Sequence, residues 1–382
     1  MNNDLNISTP DPIYKQVERF IRNQILNGQL KHGERLPSTN ELAKRWHVDQ
    51  STLQKAMSRL VKEKLIVRKQ RRGTLVNSKI RPPLVGVLAG SDLLDKDADF
   101  YRKFISEIRL EITRRNWDWR IYDHLAHVEP LLIDKGMRQL LDDIRNYTFQ
   151  GLIWVGFPAD IVTETVVKTA LPKVMFGASE GSGVVDVDLR GYLHDAIAYL
   201  VSQNRRRMVY LRSHHIVSNF KRDIDGVYKA AAEYGVEIKS DSICEIEGLT
   251  SSKSDSENLG YQQAVKLISL WRSSPRAPNG LIVADDVVML GVARALRESG
   301  MRVPEDLTVV CMTNEGLERD YTVPVVRFEF SSAEAVKAVV ALLERQFLSL
   351  EINDGPVLIP VVKKTSRTET TAIVESPAMA LR

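Results

Sequence analysis

The chain has 382 residues, too many for one hydrophobic core of ordinary size, and fits two or three compact units. Its 43% hydrophobic content is that of a globular protein and excludes disorder as the expectation; no apolar run reaches the ~18 residues of a membrane-spanning helix. Met1 to Asp11 is polar and acidic, without the apolar core of a secretory signal, so the sequence reads as cytoplasmic.

The net charge of +4 is unevenly placed: residues 1–80 hold sixteen Lys/Arg against seven Asp/Glu, and the remainder thirty-seven against forty-two. A small basic segment on a mildly acidic remainder is the division expected of a nucleic-acid-binding module joined to a partner domain. The two cysteines, Cys244 and Cys311, read as separate buried thiols. No Cys/His group has zinc spacing, and adjacent His214 and His215 on a strand point to opposite faces. Neither metal nor cofactor is expected.

A first helix is predicted from Pro12 to Asn27, with Ile13, Val17, Phe20, Ile21 and Ile25 on one face and Gly28 as its stop. Ser38-Thr39-Asn40-Glu41 is a capping box that opens a second helix, whose short buried face is Leu42 and Trp46. The turn His47-Val48-Asp49 leads into a third helix capped by Asp49. There Leu53, Met57, Leu60 and Val61 pack inward, and Gln50, Ser51, Gln54, Lys55 and Ser58 face out. Two short strands follow, Leu65–Arg68 and Thr74–Val76, joined by the basic tip Gln70-Arg71-Arg72-Gly73. This order is that of a winged helix-turn-helix, whose third helix enters the major groove while the wing reaches the minor groove.

Gly33-Glu34-Arg35-Leu36-Pro37-Ser38, Glu41-Leu42-Ala43 and Arg72-Gly73-Thr74-Leu75-Val76 together resemble the signature of the GntR family of regulators over residues 11–77. The resemblance implies DNA contacts from Arg35 (to guanine), Ser38 and Arg45, and phosphate contacts from Ser51 and Thr52. It also implies a wing of Arg71 and Arg72 that Gly73 lets approach the minor groove. Gln50 and Gln54 stand where family members often carry arginines, and glutamine pairs with adenine more naturally than with guanine. The operator is therefore expected to differ from the common family sequence.

Asn77 to Pro83 reads as a linker. Strands at Leu84–Ala89, Gly151–Val155, Lys173–Phe176, Arg207–Leu211, Leu281–Ala284 and Leu307–Val310 then alternate with helices. The helices are placed at Phe100–Asn116, Tyr192–Gln203, Asp225–Tyr234 and Val287–Ser299, with one more before Gly151. Repeated βα units imply parallel sheets covered by helices, here two sheets facing each other across a cleft. Ala284-Asp285-Asp286 through Gly291, Arg297–Arg302 and Val303-Pro304-Glu305-Asp306-Leu307 resemble LacI-type repressors, with weaker echoes in Asp188-Leu-Arg-Gly191 and Gly260-Tyr261.

The expected fold is thus a small winged helix-turn-helix (1–77), a linker (78–83) and a two-subdomain, periplasmic-binding-protein-like α/β effector domain (84–382) that also dimerises. The combination is similar to the arabinose repressors of Gram-positive bacteria. The resemblance implies that Asp286 meets ligand hydroxyls at a strand end, although Asp286 also suits a helix N-cap. Sugar-binding relatives carry an arginine three residues before the glycine matching Gly226; here that position is Asp223, with Arg222 beside it. Ser91, Asp92, Phe100 and Tyr101 are further effector candidates, the aromatics for stacking on a pyranose.

Gly177-Ala-Ser179-Glu-Gly181 matches a hydrolase elbow, but that motif needs a helix directly after it and Gly183–Val187 reads as a strand, so no enzyme is expected. The expected partners are a two-fold symmetric operator in double-stranded DNA, a sugar-like small molecule and a second copy of the chain, with no membrane. Repression relieved by ligand is the favoured sign; ligand-dependent activation or corepression are the alternatives, and a free sugar-binding protein is the rival.

Overall fold

The computed structural model describes residues 12–364 apart from 27–28, 32, 63–64, 71, 78–82, 91–97, 123–134, 146–147, 157–163, 165, 170, 178–180, 213–219, 237, 247–255, 349, 351 and 353. Three helices, α1 (Ile13–Leu26), α2 (Thr39–Trp46) and α3 (Gln50–Lys62), precede an antiparallel hairpin, β1 (Ile66–Lys69) and β2 (Gly73–Val76). Val17, Ile21 and Ile25 of α1 share a core with Leu42, Trp46, Leu53, Met57 and Leu60, as the helical spacing predicts. Ile13 departs from that expectation: at the free end of α1 it is 43% exposed. The stretch before α2 joins the hairpin as a third edge, through Gly33 N–H to Val76 O at 3.1 Å and Leu36 N–H to Thr74 O at 2.9 Å. Arg35 is thereby paired with Leu75.

The remaining residues form two lobes. The first holds β3 (Leu84–Ala89), β4 (Asp118–Tyr122), β5 (Gly151–Val155), β6 (Lys173–Phe176), β7 (Val184–Val187) and β13 (Val357–Ile359), in the order β13-β7-β6-β5-β3-β4. The second holds β8 (Met208–Arg212), β9 (Ile243–Glu245), β10 (Gly280–Val283), β11 (Thr308–Asn314), β12 (Val326–Phe330) and β14 (Val361–Lys363), in the order β14-β12-β11-β10-β8-β9. Every pairing in the two sheets is parallel except β12 with β14. Helices α4 (Asp99–Arg114) and α5 (Lys135–Arg145) belong to the first lobe. Helices α6 (Leu189–Ser202), α7 (Phe220–Glu233), α8 (Ser256–Arg272) and α9 (Asp286–Ser299) belong to the second.

The chain crosses between lobes three times. It leaves the first lobe after β7 and returns after β12 into α10 (Ser332–Phe347), which packs on α4, β5, β6 and β7. It crosses again at Pro360, between β13 and β14. One apolar cluster runs through both lobes, from Val85 and Phe104 to Tyr210 and Val310, so the lobes share a core at their base.

Several boundaries differ from the sequence reading. Helix α7 starts at Phe220, not Asp225, and Gly226 lies in its interior; a Cβ there would stand 2.9 Å from Arg190 Cγ, so the glycine admits the Arg190 stem. The sequence reading has no counterpart for β4, β9, β12, β13, β14, α8 or α10. Cys244 is half-buried, whereas Cys311 is fully buried. The two lie in one row across the sheet, through Val283 and Leu211, three strand spacings apart. At roughly 4.8 Å per spacing they are too far apart for a disulfide.

Candidate nucleic-acid interface and effector cleft

The turn between α2 and α3 is held from both sides. Ser38 Oγ accepts from Glu41 N–H at 3.2 Å, and Glu41 Oε2 accepts from Ser38 N–H at 2.7 Å. Hydrogen bonds from the Ser38 backbone and hydroxyl hold the Glu41 carboxyl below its ordinary value, with Arg35 and Arg45 adding attraction. Left-handed His47 closes α2, and Asp49 caps α3 by accepting from Ser51 N–H at 2.8 Å, Thr52 N–H at 3.4 Å and the Ser51 hydroxyl. While that last bond holds, Ser51 has no hydrogen to give to a phosphate. Gln50, Ser51, Gln54, Lys55 and Ser58 are all exposed along one face of α3, as the spacing predicts, and Thr52 is half-buried.

Arg35, Arg45 and Arg72 are exposed, Arg45 in the last turn of α2. Gly73 has a left-handed backbone (φ +81°), and its hydrogen side is covered by the Arg35 guanidinium; a Cβ there would lie 3.3 Å from Arg35 Nε. The glycine thus seats Arg35 against the wing as well as permitting the turn. Arg71 lies outside the described residues.

In the lobed region, Asp286 is 5% exposed although it is a carboxylate. It does not cap α9; Asp285 does, accepting from Val287 and Val288 N–H at 2.9 Å each. Asp286 is left to point inward. Arg319, on the segment between β11 and β12, donates from Nε to Asp286 Oδ2 at 3.1 Å and has Nη2 3.7 Å from Asp99 Oδ2. Asp99 opens α4 in the first lobe, so this guanidinium joins the two lobes. Burial, reinforced by the Asp285 charge, pushes the Asp286 carboxyl up, and Arg319 and the Asn314 side chain pull against that shift. Within the first lobe, Lys103 of α4 donates to the Ser332 hydroxyl at the start of α10, just where the chain returns from β12.

Phe100 packs within a ring cluster, 5.4 Å from Phe104 and 6.1 Å from both Phe176 and Phe330. Tyr101 meets Phe100 edge-on at 5.4 Å and lies over Gly156 at the end of β5. Asp99, Phe100, Tyr101 and Asp286 therefore converge where the lobes meet. Ser91 and Asp92 lie outside the described residues, as do His214, His215 and Ser179. Arg222 and Asp223 fall in the first turn of α7, with side chains outside the description. A strand, β7, follows Gly183, so the elbow pattern lacks its helix. Sequence reasoning missed Arg319, Asp99 and Lys103: a loop arginine 33 positions from its partner leaves no local pattern. Among the described residues no group of His, Cys, Asp and Glu is arranged to hold a metal ion, and no helix is long and apolar enough to cross a membrane.

Residues 13–76 match the family described as bacterial regulatory proteins, gntR family, and residues 197–367 match the periplasmic binding protein-like domain. The chain therefore joins a gntR-family winged helix-turn-helix to a LacI-like α/β domain. It is similar along most of its length to an arabinose metabolism transcriptional repressor of Halalkalibacterium halodurans, 23% identical over 359 residues, 87% of this chain and 90% of the relative. A protein of the same description from Geobacillus stearothermophilus is 20% identical over 387 residues, 97% of each chain. The fold is also that of the Lac repressor bound to ONPG (TM-score 0.60, 16% identity, 83% of this chain and 89% of that one).

Proposed function

We propose that the chain is a transcription regulator, a repressor whose binding to operator DNA is modulated by a small molecule, of which a sugar or sugar derivative is the favoured class. The observation that carries this reading is the joining of a winged reader to a two-lobed α/β unit in one chain, an order shared with the arabinose repressors over nearly their whole length. We place the reader at residues 1–77, the linker at 78–83, and the effector-binding and dimerising unit at 84–382, acting in the cytoplasm as a homodimer on a two-fold symmetric site. Arg35, Ser38, Arg45, Gln50, Gln54, Arg71, Arg72 and Gly73 are the proposed DNA contacts, with Ser51 and Thr52 at the phosphates. Asp286, Phe100 and Tyr101 support the effector site through their convergence at the lobe junction, and Ser91, Asp92 and Arg222 complete it in the proposal.

The test is binding of the purified chain to DNA from upstream of its own gene, titrated against salt. Binding that weakens steeply as salt rises is expected of a phosphate-rich contact. Absence of binding to any such fragment overturns the reading. A thermal-shift screen against monosaccharides then asks whether the effector is a sugar.

A further inference from the structure

The exposed face of α3 opens on three uncharged side chains, Gln50, Ser51 and Gln54, ahead of Lys55. The first cations of the helix are turned toward α1: Lys55 Nζ lies 4.1 Å over the Tyr14 ring, and Arg59 Nε pairs with Glu18 at 2.5 Å. Across the turn, Gln50 Nε2 donates to Asn40 Oδ1 at 2.7 Å. Both residues are exposed, and Asn40 stands in the first turn of α2. The leading edge of the reader is therefore a pair of joined amides on two capped helices.

We propose that Asn40 and Gln50 read one base as a unit, an adenine in each operator half-site, with Asn40 as the positioning residue; this rests on the reading of the chain as a DNA-binding regulator. A glutamine amide has one acceptor oxygen and two N–H donors, and its two ends are interchangeable by rotation. In the arrangement the structure gives, Asn40 presents its carbonyl and Gln50 its nitrogen, so the bond uses one Gln50 N–H. What remains is one acceptor beside one donor, the complement of adenine N6 and N7 in the major groove. Guanine presents two acceptors there, O6 and N7, so a locked Gln50 sets its carbonyl against one of them. Gln50 without Asn40 keeps its reach but loses the fixed orientation. The Asp49 cap holds the first turn of α3 independently, so removing the Asn40 side chain leaves the helix in place.

The full chain is used to select sites from random DNA, as wild type, Asn40→Ala, Asn40→Asp and Gln50→Ala. Each then binds the selected site and its single adenine-to-guanine variants at fixed salt. Wild type is expected to favour the adenine by about 5- to 150-fold, the range of one good bidentate contact. Asn40→Ala and Gln50→Ala lose most of that preference while keeping their salt dependence and melting temperature. Asn40→Asp retains the acceptor, so it keeps the preference while binding all sequences more weakly because of its added negative charge. The proposal is overturned by unchanged preference in Asn40→Ala, by equal loss in Asn40→Ala and Asn40→Asp, or by a half-site without a required adenine. Failure of wild type to bind any DNA instead overturns the regulator reading itself.

Discussion

His194 on α6 sits between two carboxylates, with Nδ1 3.0 Å from Asp195 Oδ1 and Nε2 3.4 Å from Glu233 Oε2. The Tyr234 hydroxyl approaches the same Nε2 at 3.1 Å. The hydrogen bond to Asp195, then that to Glu233, raises the imidazole above its ordinary value of 6.5. A folded value above the unfolded one favours the charged form in the native state. The stabilisation is therefore complete below about pH 6.5 and is lost as pH rises through the raised folded value. His194→Gln is expected to flatten the pH dependence of the melting temperature across that window, while wild type melts progressively earlier toward alkaline pH. Parallel curves for the two proteins count against the pairing.

At the scale of elements, α8 and α9 cross where both carry a glycine. A Cβ on Gly291 would lie 1.8 Å from Glu257 O and 2.5 Å from Tyr261 N, and one on Gly260 2.4 Å from Val288 O. These contacts are to backbone, which cannot turn aside as a side chain can. Gly291→Ala must push the helices apart and is expected to cost about 1–3 kcal/mol, as overpacked cores do, read as an earlier chemical unfolding midpoint. Wild-type stability in that variant shows that the helices can separate freely. The same crossing shows which features a sequence displays. Ser38 and Glu41 declare a capping box because both partners lie within one helical turn, and the outward row from Gln50 to Ser58 follows from helical period alone. Gly260 and Gly291 could be noticed but not interpreted, since their reason is a contact between helices thirty-one positions apart in the chain. Gln50 and Gln54 both depart from the family pattern, but the bond from Gln50 to Asn40 spans a turn and ten positions, and Arg319 follows no local pattern at all.

At the scale of the whole molecule, one guanidinium at the junction of the lobes is shared between Asp99 of the first and Asp286 of the second. Asp286 would be a costly group to bury alone, because burial and the adjacent Asp285 charge both oppose its ionised form. In the proposed effector site, a ligand hydroxyl that took the Asp286 oxygen now held by Arg319 would couple occupancy to the link between lobes; a ligand regulates only if it binds one lobe arrangement better than the other. Arg319→Ala isolates the electrostatic half of that coupling. It leaves Asp286 buried without its cation, and the expected loss at neutral pH is about 1–3 kcal/mol, the cost of an uncompensated buried polar group. The pH dependence has a definite sign. A carboxyl whose folded value is raised contributes stability below its unfolded value and loses it as pH rises through the folded one. In Arg319→Ala the Asp286 value climbs further, so the deficit is largest at neutral pH and shrinks as acid protonates the carboxyl. Urea unfolding of wild type and variant at neutral and mildly acidic pH measures both curves. A deficit that stays constant, or grows in acid, means that Asp286 does not depend on Arg319 for its charge.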